Sequence, residues 1–258
     1  MADVPEWTVL YHMAVTGPAF KGRGEFLKLL FEDAKVPYVF TNEKLYGPEG
    51  FMDMFRDPEK KGDGSEVKPD TAPFPLMFPP AVWHRPQGQE AVCINQVNAC
   101  MAYIGNKLGY GPATDAERAR ADAITSNCMD YIAEGRRSFH PVEDGGSYSV
   151  QKEEGDKVSL AWTKKRMRVW LQHFEKVIKR AEGKPLAGGS NLTYADFAVF
   201  HILDATEAQF NKEYYAFPWD KEDNPASKAF KAAMEARPNL KAYFASERRL
   251  PWAGDSMM

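Results

Sequence analysis

The chain has 258 residues, which suits one or two domains and allows a sizeable hydrophobic core. Hydrophobic residues make up 44% and charged residues 27%, a composition that excludes a mainly disordered chain. The net charge is −3, and the longest cationic cluster is Lys164-Lys165-Arg166. The charge pattern therefore gives no reason to expect nucleic acid or a membrane surface as a partner.

No apolar run reaches the roughly 18–20 residues that cross a bilayer. The first six residues lack the basic start and apolar stretch of a signal peptide. The three cysteines, Cys93, Cys100 and Cys128, form no CxxC pair, and the five histidines show no metal-ligand spacing. We therefore expect a cytoplasmic protein with free thiols and no bound metal.

The first third of the chain predicts an α/β pattern. The expected elements are strands at residues 8–13, 38–41, 76–78 and 81–83 and helices at residues 25–35 and 96–108. A turn at residues 85–89 indicates a hairpin, and Gly109 is a typical helix C-cap. The pair Pro79-Pro80 beside strand-like residues predicts a special turn, of which a cis bond is one form. The polar segment at residues 43–71 is predicted to be a mobile loop.

The rest of the chain is helical in pattern. Long helices are predicted at residues 115–136, 159–181 and 194–208, and shorter ones at residues 228–236 and 240–248. Residues 109–112 are a natural boundary because they combine glycine with proline. The predicted fold is thus an α/β domain, residues 1–110, followed by an all-helical domain, residues 113–258.

The sequence GSNLTYADF at residues 189–197 is typical of the N-terminal end of a helix. Thr193 can cap the following helix, and Asp196 three residues later can return a hydrogen bond to the cap. Leu192 can pack against Phe197 as a hydrophobic staple. Since the helix behind this motif is almost wholly apolar, it is expected to be central and buried.

This capping motif, late in a chain that starts with an α/β domain, resembles the cytosolic glutathione S-transferase family. Other segments agree: FPLMFPPAV at residues 74–82 is similar to the family's strand around a cis-proline, and NQVNACMAYI at residues 95–104 to the start of the following helix. The resemblance implies a thioredoxin-like first domain that binds glutathione. It also implies a helical second domain that supplies a pocket for an apolar electrophile.

The resemblance assigns part of the glutathione site. Pro80 would be the cis-proline, and Pro79 before it would hold the cysteinyl part of glutathione through its backbone. Since proline has no amide hydrogen, only the carbonyl of Pro79 is available. Gln96 matches the glutamine that contacts the γ-glutamyl group. The next position, usually Ser or Thr, is Val97, so only its backbone amide can serve.

The family lowers the pKa of the glutathione thiol with a hydroxyl donor and a positive charge. Tyr11 or His12 aligns with the tyrosine that ends the first strand, and Thr16 lies near the serine of other branches. Because side chains alternate along a strand, Tyr11 and His12 cannot both face the ligand. We weight Tyr11 and Thr16 equally, and His12 below them.

Further positions follow from the same resemblance. Arg23 matches an arginine that stabilises the thiolate in one branch, with Lys21 as the weaker alternative. No cysteine lies between Tyr11 and Glu25, which argues against thiol-transferase chemistry. The electrophile pocket is expected between residues 16–20, the helix that carries Cys128 and Tyr131, and the chain end near Trp252.

The leading hypothesis is a glutathione transferase of detoxification type. Its thiolate would attack apolar electrophiles or reduce peroxides. A non-catalytic ligand-binding or assembly protein of the same fold is the second hypothesis, favoured by Val97 and by the Pro79-Pro80 pair. A specialised glutathione-dependent isomerase, etherase or dehalogenase is the third. The resemblance also implies a homodimer.

Overall fold

The computed structural model describes residues 5–11, 21–40, 76–143, 146–211, 213–215 and 224–252. The strands are β1 Trp7–Leu10, β2 Val39–Phe40, β3 Ala81–His84 and β4 Val92–Asn95. The helices are α1 Glu25–Ala34, α2 Val97–Leu108, α3 Asp115–Phe139, α4 Lys152–Trp162, α5 Arg168–Ala181, α6 Tyr194–Phe210, α7 Pro225–Glu235 and α8 Pro238–Phe244. Short 3-10 turns lie at Gly22–Gly24, Tyr148–Gln151 and Glu213–Tyr215.

The four strands form one mixed sheet in the order β2-β1-β3-β4. β1 and β2 are parallel, as expected for strands joined through a helix, whereas β1 with β3 and β3 with β4 are antiparallel. The predicted hairpin is therefore formed by β3 and β4. A small mixed sheet followed by helices confirms the predicted fold class, a thioredoxin-like first part and an all-helical second part.

Helix α1 is buried along nearly its whole length. Its apolar side chains fall on the spacing that the amphipathic pattern predicts, and they pack against the sheet, α2 and α6. The fully or almost fully buried ones are Phe26, Leu27, Leu29, Leu30 and Phe31. Because both faces of α1 are covered, it links the sheet to the helical part of the chain.

Helix α6 is the centre of the helical part, since almost every residue from Tyr194 to Phe210 is buried. The predicted capping box is present: Asp196 accepts hydrogen bonds from the backbone amides of Thr193 (2.8 Å) and Leu186 (2.9 Å). These bonds use the oxygens of a fully buried carboxylate, which would otherwise be costly to bury.

Some predicted boundaries differ from the structure. Residues 76–78 form no strand, because strand pairing starts only at Ala81. The helix predicted from residue 159 starts at Lys152 and contains a π-helical stretch, Thr163–Met167, before α5. Periodicity at 3.6 residues cannot reveal a local π-helix, which shifts the buried face by one residue. The predicted loop at residues 43–71 lies outside the described residues.

Among the described residues, no helix is both long and apolar enough to cross a membrane. The same residues contain no group of three or more His, Cys, Asp or Glu side chains arranged to hold a metal ion. Cys93, Cys100 and Cys128 are all free and buried. Burial raises the pKa of each of these thiols, which makes them poor nucleophiles.

Candidate functional site

The strand register brings three of the predicted site positions to one end of the sheet. Leu10 pairs with Ala81, and Ala81 pairs with Asn95. The next residue at this end of the sheet is Tyr11 after β1, Pro80 before the antiparallel strand β3, and Gln96 after β4. Tyr11, Pro80 and Gln96 therefore meet at the same sheet edge, although 85 residues separate the first from the last in the sequence numbering.

The Pro79–Pro80 peptide bond is cis, which confirms the expected special turn. Pro80 is buried and Pro79 is half-buried, immediately before the first paired residue of β3. The side-chain amide of Asn95 donates to the carbonyl of Phe78 at 3.2 Å and fixes the approach to this turn. Only the carbonyl of Pro79 is available for binding, as the sequence implies.

Gln96 precedes α2 with an unusual backbone conformation, φ +72° and ψ 118°, which only glycine adopts without strain. Its side chain is exposed and makes no capping hydrogen bond to the helix. The first-turn amides of the 12-residue helix α2 thus meet no side-chain cap at this edge. A helix N-terminus with an amide side chain beside it is a typical place for a carboxylate.

Val97 is only 5% exposed because its side chain enters the hydrophobic core. The valine side chain therefore packs inward, and what Val97 offers toward the edge is its backbone. This explains how an apolar residue is accepted at a position where the resemblance predicts a hydroxyl.

Tyr11 lies directly after β1 and is 5% exposed. The backbone amide of Arg23 donates a hydrogen bond to its hydroxyl oxygen at 2.9 Å. The ring packs against Gly24 and lies 6.3 Å from the ring of Phe40, centroid to centroid. Because the amide occupies one lone pair of the oxygen, the phenolic proton is directed away from the amide.

The pKa of Tyr11 reflects two opposing influences. Burial raises the pKa, whereas the amide hydrogen bond from Arg23 and the charges of Arg23 and Arg136 lower it. Arg136 is in the last turn of α3 and is half-buried. Its effect on Tyr11 means that the helical part of the chain contributes positive charge to the site, which the sequence did not reveal.

The remaining candidates divide between the described and undescribed parts of the chain. His12 and Thr16 lie outside the described residues. The ammonium of Lys21, the weaker alternative to Arg23, contacts Asp204 on α6 at 3.3 Å. Arg23 itself borders the tyrosine through its backbone.

The residues expected around the electrophile pocket lie in different surroundings, and residues 16–20 are outside the described residues. Cys128 and Tyr131 are fully buried, and the hydroxyls of Tyr131 and Thr206 share a hydrogen bond at 2.7 Å. They belong to the core of the helical part, since they lie on the buried face of α3, which packs against α6. Trp252, in contrast, borders a cavity of about 450 Å³ that Lys21 and Asp204 also line.

Residues 140–247 match the family model described as "Glutathione S-transferase, C-terminal domain". The chain is 24% identical to glutathione S-transferase P 1 of Xenopus laevis over 89% of this chain and 90% of that protein. It is 29% identical to the class-mu 26 kDa glutathione S-transferase isozyme 7 of Fasciola hepatica, over 62% of this chain and 63% of the fluke protein.

Among solved structures, the pi-class glutathione S-transferase of Onchocerca volvulus has a similar fold. Its TM-score is 0.67 at 18% sequence identity, with 97% of this chain and 99% of that chain covered. At this identity the likeness shows the fold alone.

Proposed function

We propose that this chain, which belongs to the cytosolic glutathione S-transferase family, binds glutathione at the sheet edge beside Tyr11 and activates its thiol for attack on apolar electrophiles. The pairing register of β1, β3 and β4 supports this location of the glutathione site, because it brings Tyr11, Pro80 and Gln96 together. Under this proposal residues 1–110 bind glutathione, and residues 113–258 supply the pocket for the second substrate.

The tripeptide would be bound mainly by backbone groups and one amide side chain. The γ-glutamyl carboxylate accepts hydrogen bonds from Gln96 and from the N-terminal amides of α2, including that of Val97. The cysteinyl amide donates to the carbonyl of Pro79. Since Pro79 cannot donate in return, we expect the cysteinyl part to be bound less tightly than a residue with an amide hydrogen would bind it.

The hydroxyl of Tyr11 would donate a hydrogen bond to the glutathione sulfur. Such a donor stabilises the thiolate more than the thiol, so the thiol pKa falls below its free value of roughly 8.5–9. The amide of Arg23, at 2.9 Å from the phenol oxygen, strengthens this donor because it withdraws electron density. The charges of Arg23 and Arg136 favour the anion in addition.

The reaction itself is nucleophilic attack by sulfur. The thiolate contributes the electron pair of the new bond to the electrophilic carbon, and the leaving group departs with the pair of the bond that breaks. We place the electrophile beside the indole of Trp252, since an aromatic ring suits an apolar substrate. The cavity of about 450 Å³ that Trp252 borders is otherwise lined in part by the charged Lys21, Asp204, Glu207 and Arg249. Substrate profiling would identify the electrophile.

The test is a titration of glutathione into the protein, followed by the ultraviolet absorbance of the thiolate between about pH 5 and 9. A working transferase gives saturable binding and a thiolate that appears at about pH 6–7, well below the free thiol. Binding with an unshifted thiol pKa would favour a non-catalytic carrier. Absence of binding at millimolar glutathione would contradict the proposal.

We further propose a cytoplasmic homodimer with a role in detoxification, as the family resemblance implies. Light scattering at micromolar concentration tests the oligomeric state directly. A monomeric mass under these conditions would contradict the dimer without affecting the proposed chemistry.

A further inference from the structure

Asp204, on the buried helix α6, is the centre of a polar cluster that borders the cavity beside Trp252 and to which the proposed thiol activation assigns no role. Its Oδ2 atom accepts hydrogen bonds from Lys21 Nζ (3.3 Å), Arg249 Nη2 (2.9 Å) and Trp252 Nε1 (3.2 Å). Lys231 Nζ lies 3.7 Å from the other oxygen. Only 11% of the Asp204 side chain is exposed, so these donors stand in for water.

The donors come from two segments that are far apart in the sequence. Lys21 lies just before the 3-10 turn Gly22–Gly24, and Arg249 and Trp252 follow α8. The two segments also contact each other directly. The backbone amide of Lys21 donates to the carbonyl of Pro251 at 3.2 Å, and Lys21 Nζ lies 4.5 Å from the centroid of the Trp252 ring.

The backbone beyond Lys21 leads straight to Tyr11. At Gly22, where φ is +48°, a Cβ atom would lie only 2.1 Å from the tyrosine hydroxyl oxygen. The next residue, Arg23, supplies the amide that donates to this oxygen. Only Gly22 therefore separates Lys21, which Asp204 binds, from Arg23, whose amide binds Tyr11, and this glycine lies against the phenol.

We infer that Asp204 is a positioning residue for Tyr11: by binding Lys21 it fixes the turn whose Arg23 amide holds the phenol oxygen. This inference rests on the proposed function. Without the carboxylate, Lys21 and Arg249 are two partly or fully buried cations with no anion between them, and their repulsion displaces Lys21. The Arg23 amide then moves with the turn. As a result, the phenol of Tyr11 is no longer held in place and becomes less acidic.

If the Asp204 charge acted on the bound thiol only through space, the thiol pKa would change in the opposite direction. The direction of that change therefore tests the inference. Removal of a negative charge near the site, acting through space alone, favours an anion and lowers the pKa of the bound thiol. Loss of the amide hydrogen bond raises the pKa of the bound thiol. The sign of the change in the Asp204→Asn variant therefore separates the two explanations.

The experiment compares Asp204→Asn with Glu175→Gln. Glu175 is a second buried carboxylate, and it binds the backbone amides of Ala226 and Ser227 at the start of α7, away from Tyr11. Both variants are expected to unfold more easily than the wild type. Only Asp204→Asn is expected to raise the pKa of bound glutathione by about one unit and to lower kcat roughly tenfold.

A second measurement does not depend on glutathione. Amide hydrogen exchange, resolved at Arg23 by nuclear magnetic resonance, is expected to be faster in Asp204→Asn and unchanged in Glu175→Gln. Lys21→Gln should accelerate the same amide, and the double variant should add little to either single one. These comparisons refer to folded protein, which the circular dichroism spectrum of each variant verifies.

The measurements distinguish failure of the proposed function from failure of the inference about Asp204. If wild-type protein forms no thiolate, the proposed function fails, while faster exchange at Arg23 would still show that Asp204 holds the turn. If wild-type protein forms the thiolate but Asp204→Asn leaves its pKa unchanged or lowers it, the inference is overturned. An unchanged exchange rate at Arg23 would overturn it as well.

Discussion

The backbone amide of Arg23 and the hydroxyl oxygen of Tyr11 lie 2.9 Å apart, so the 3-10 turn that precedes α1 is hydrogen-bonded to the residue that follows β1. The turn Gly22–Gly24 leads directly into the buried helix α1, so the contact ties the phenol to the segment that precedes this helix. A tyrosine whose oxygen already accepts from an amide is oriented to donate its own hydrogen bond to the glutathione sulfur.

Tyr11→Phe keeps the ring, which packs against Gly24 and Phe40, and removes the hydroxyl. We expect the pKa of bound glutathione to return toward roughly 8.5–9 and kcat/KM at neutral pH to fall by about 10- to 100-fold. Glutathione affinity should change little, because other groups hold the peptide. Thiolate absorbance against pH, with steady-state kinetics, measures both effects.

Two controls accompany this variant. Tyr103→Phe removes a hydroxyl that contacts His84 instead, and should leave the thiolate unchanged. Thr16→Ala tests the alternative donor. If Thr16→Ala abolishes the thiolate and Tyr11→Phe does not, Tyr11 is a core aromatic residue and the assignment is wrong.

Arg136→Gln tests whether the helical part of the chain supplies charge to the site. The Arg136 charge lowers the pKa of Tyr11, and an adjacent thiolate would be favoured in the same way. We expect the bound thiol pKa to rise by about half a unit at low salt and by less at high salt. Arg137→Gln, one residue further along α3 and exposed, is the matched control and should have no effect.

Gln96→Gly separates stability from binding. Because φ at Gln96 is +72°, glycine relieves backbone strain, and we expect the free energy of unfolding to rise by about 1 kcal/mol. The same change removes the amide side chain, so the Kd for glutathione should increase about tenfold. Chemical denaturation and calorimetric titration measure the two quantities. A variant that is less stable than the wild type and binds glutathione with the same Kd would contradict the prediction.

His201 predicts a pH dependence of stability. Its ring is fully buried between Phe26 and Trp252, and neither ring nitrogen has a hydrogen-bond partner within the described residues. Burial lowers its pKa to about 3, against 6.5 for an exposed histidine. Between these values the unfolded chain binds a proton that the folded chain does not, so this contribution to stability is complete above about pH 6.5 and is lost as the pH falls toward 3.

His201→Phe should remove that dependence. At about pH 4.5, two units below the pKa of an exposed histidine, the wild type loses roughly 3 kcal/mol of folding free energy through this group. The variant should therefore unfold at clearly higher denaturant concentration than the wild type at about pH 4.5, and by a smaller margin at pH 7. Parallel pH curves for the two proteins would show that His201 takes up a proton in the folded state.

Local patterns predicted much of the fold. The amphipathic spacing identified α1, Gly109 ends α2 with φ +86°, and the Thr193–Asp196 box caps α6, because each of these features depends on residues close together in the sequence. The helix predicted at residues 159–181 ends where α5 ends, but its start was wrong, and the π-helical stretch that joins α4 to α5 was not predicted.

The site was predictable only through the family resemblance. Nothing in the local sequence shows that Tyr11, Pro80 and Gln96 share one sheet edge, since this follows from long-range strand pairing. Asp204 was missed for the same reason: Lys21, which it binds, is 183 residues away. Arg136 carries no local signal either, because one more arginine near a helix end is ordinary.

The three buried cysteines have a practical consequence for labelling. Cys93, Cys100 and Cys128 are the only cysteines of the chain, and burial keeps each thiol protonated. Maleimides and similar reagents should therefore leave the folded wild-type protein unmodified. A single cysteine introduced at Met77, whose side chain is 55% exposed next to the cis-proline turn, should then carry a fluorophore selectively. Such a probe would report ligand arrival at the sheet edge without replacing any native residue of the core.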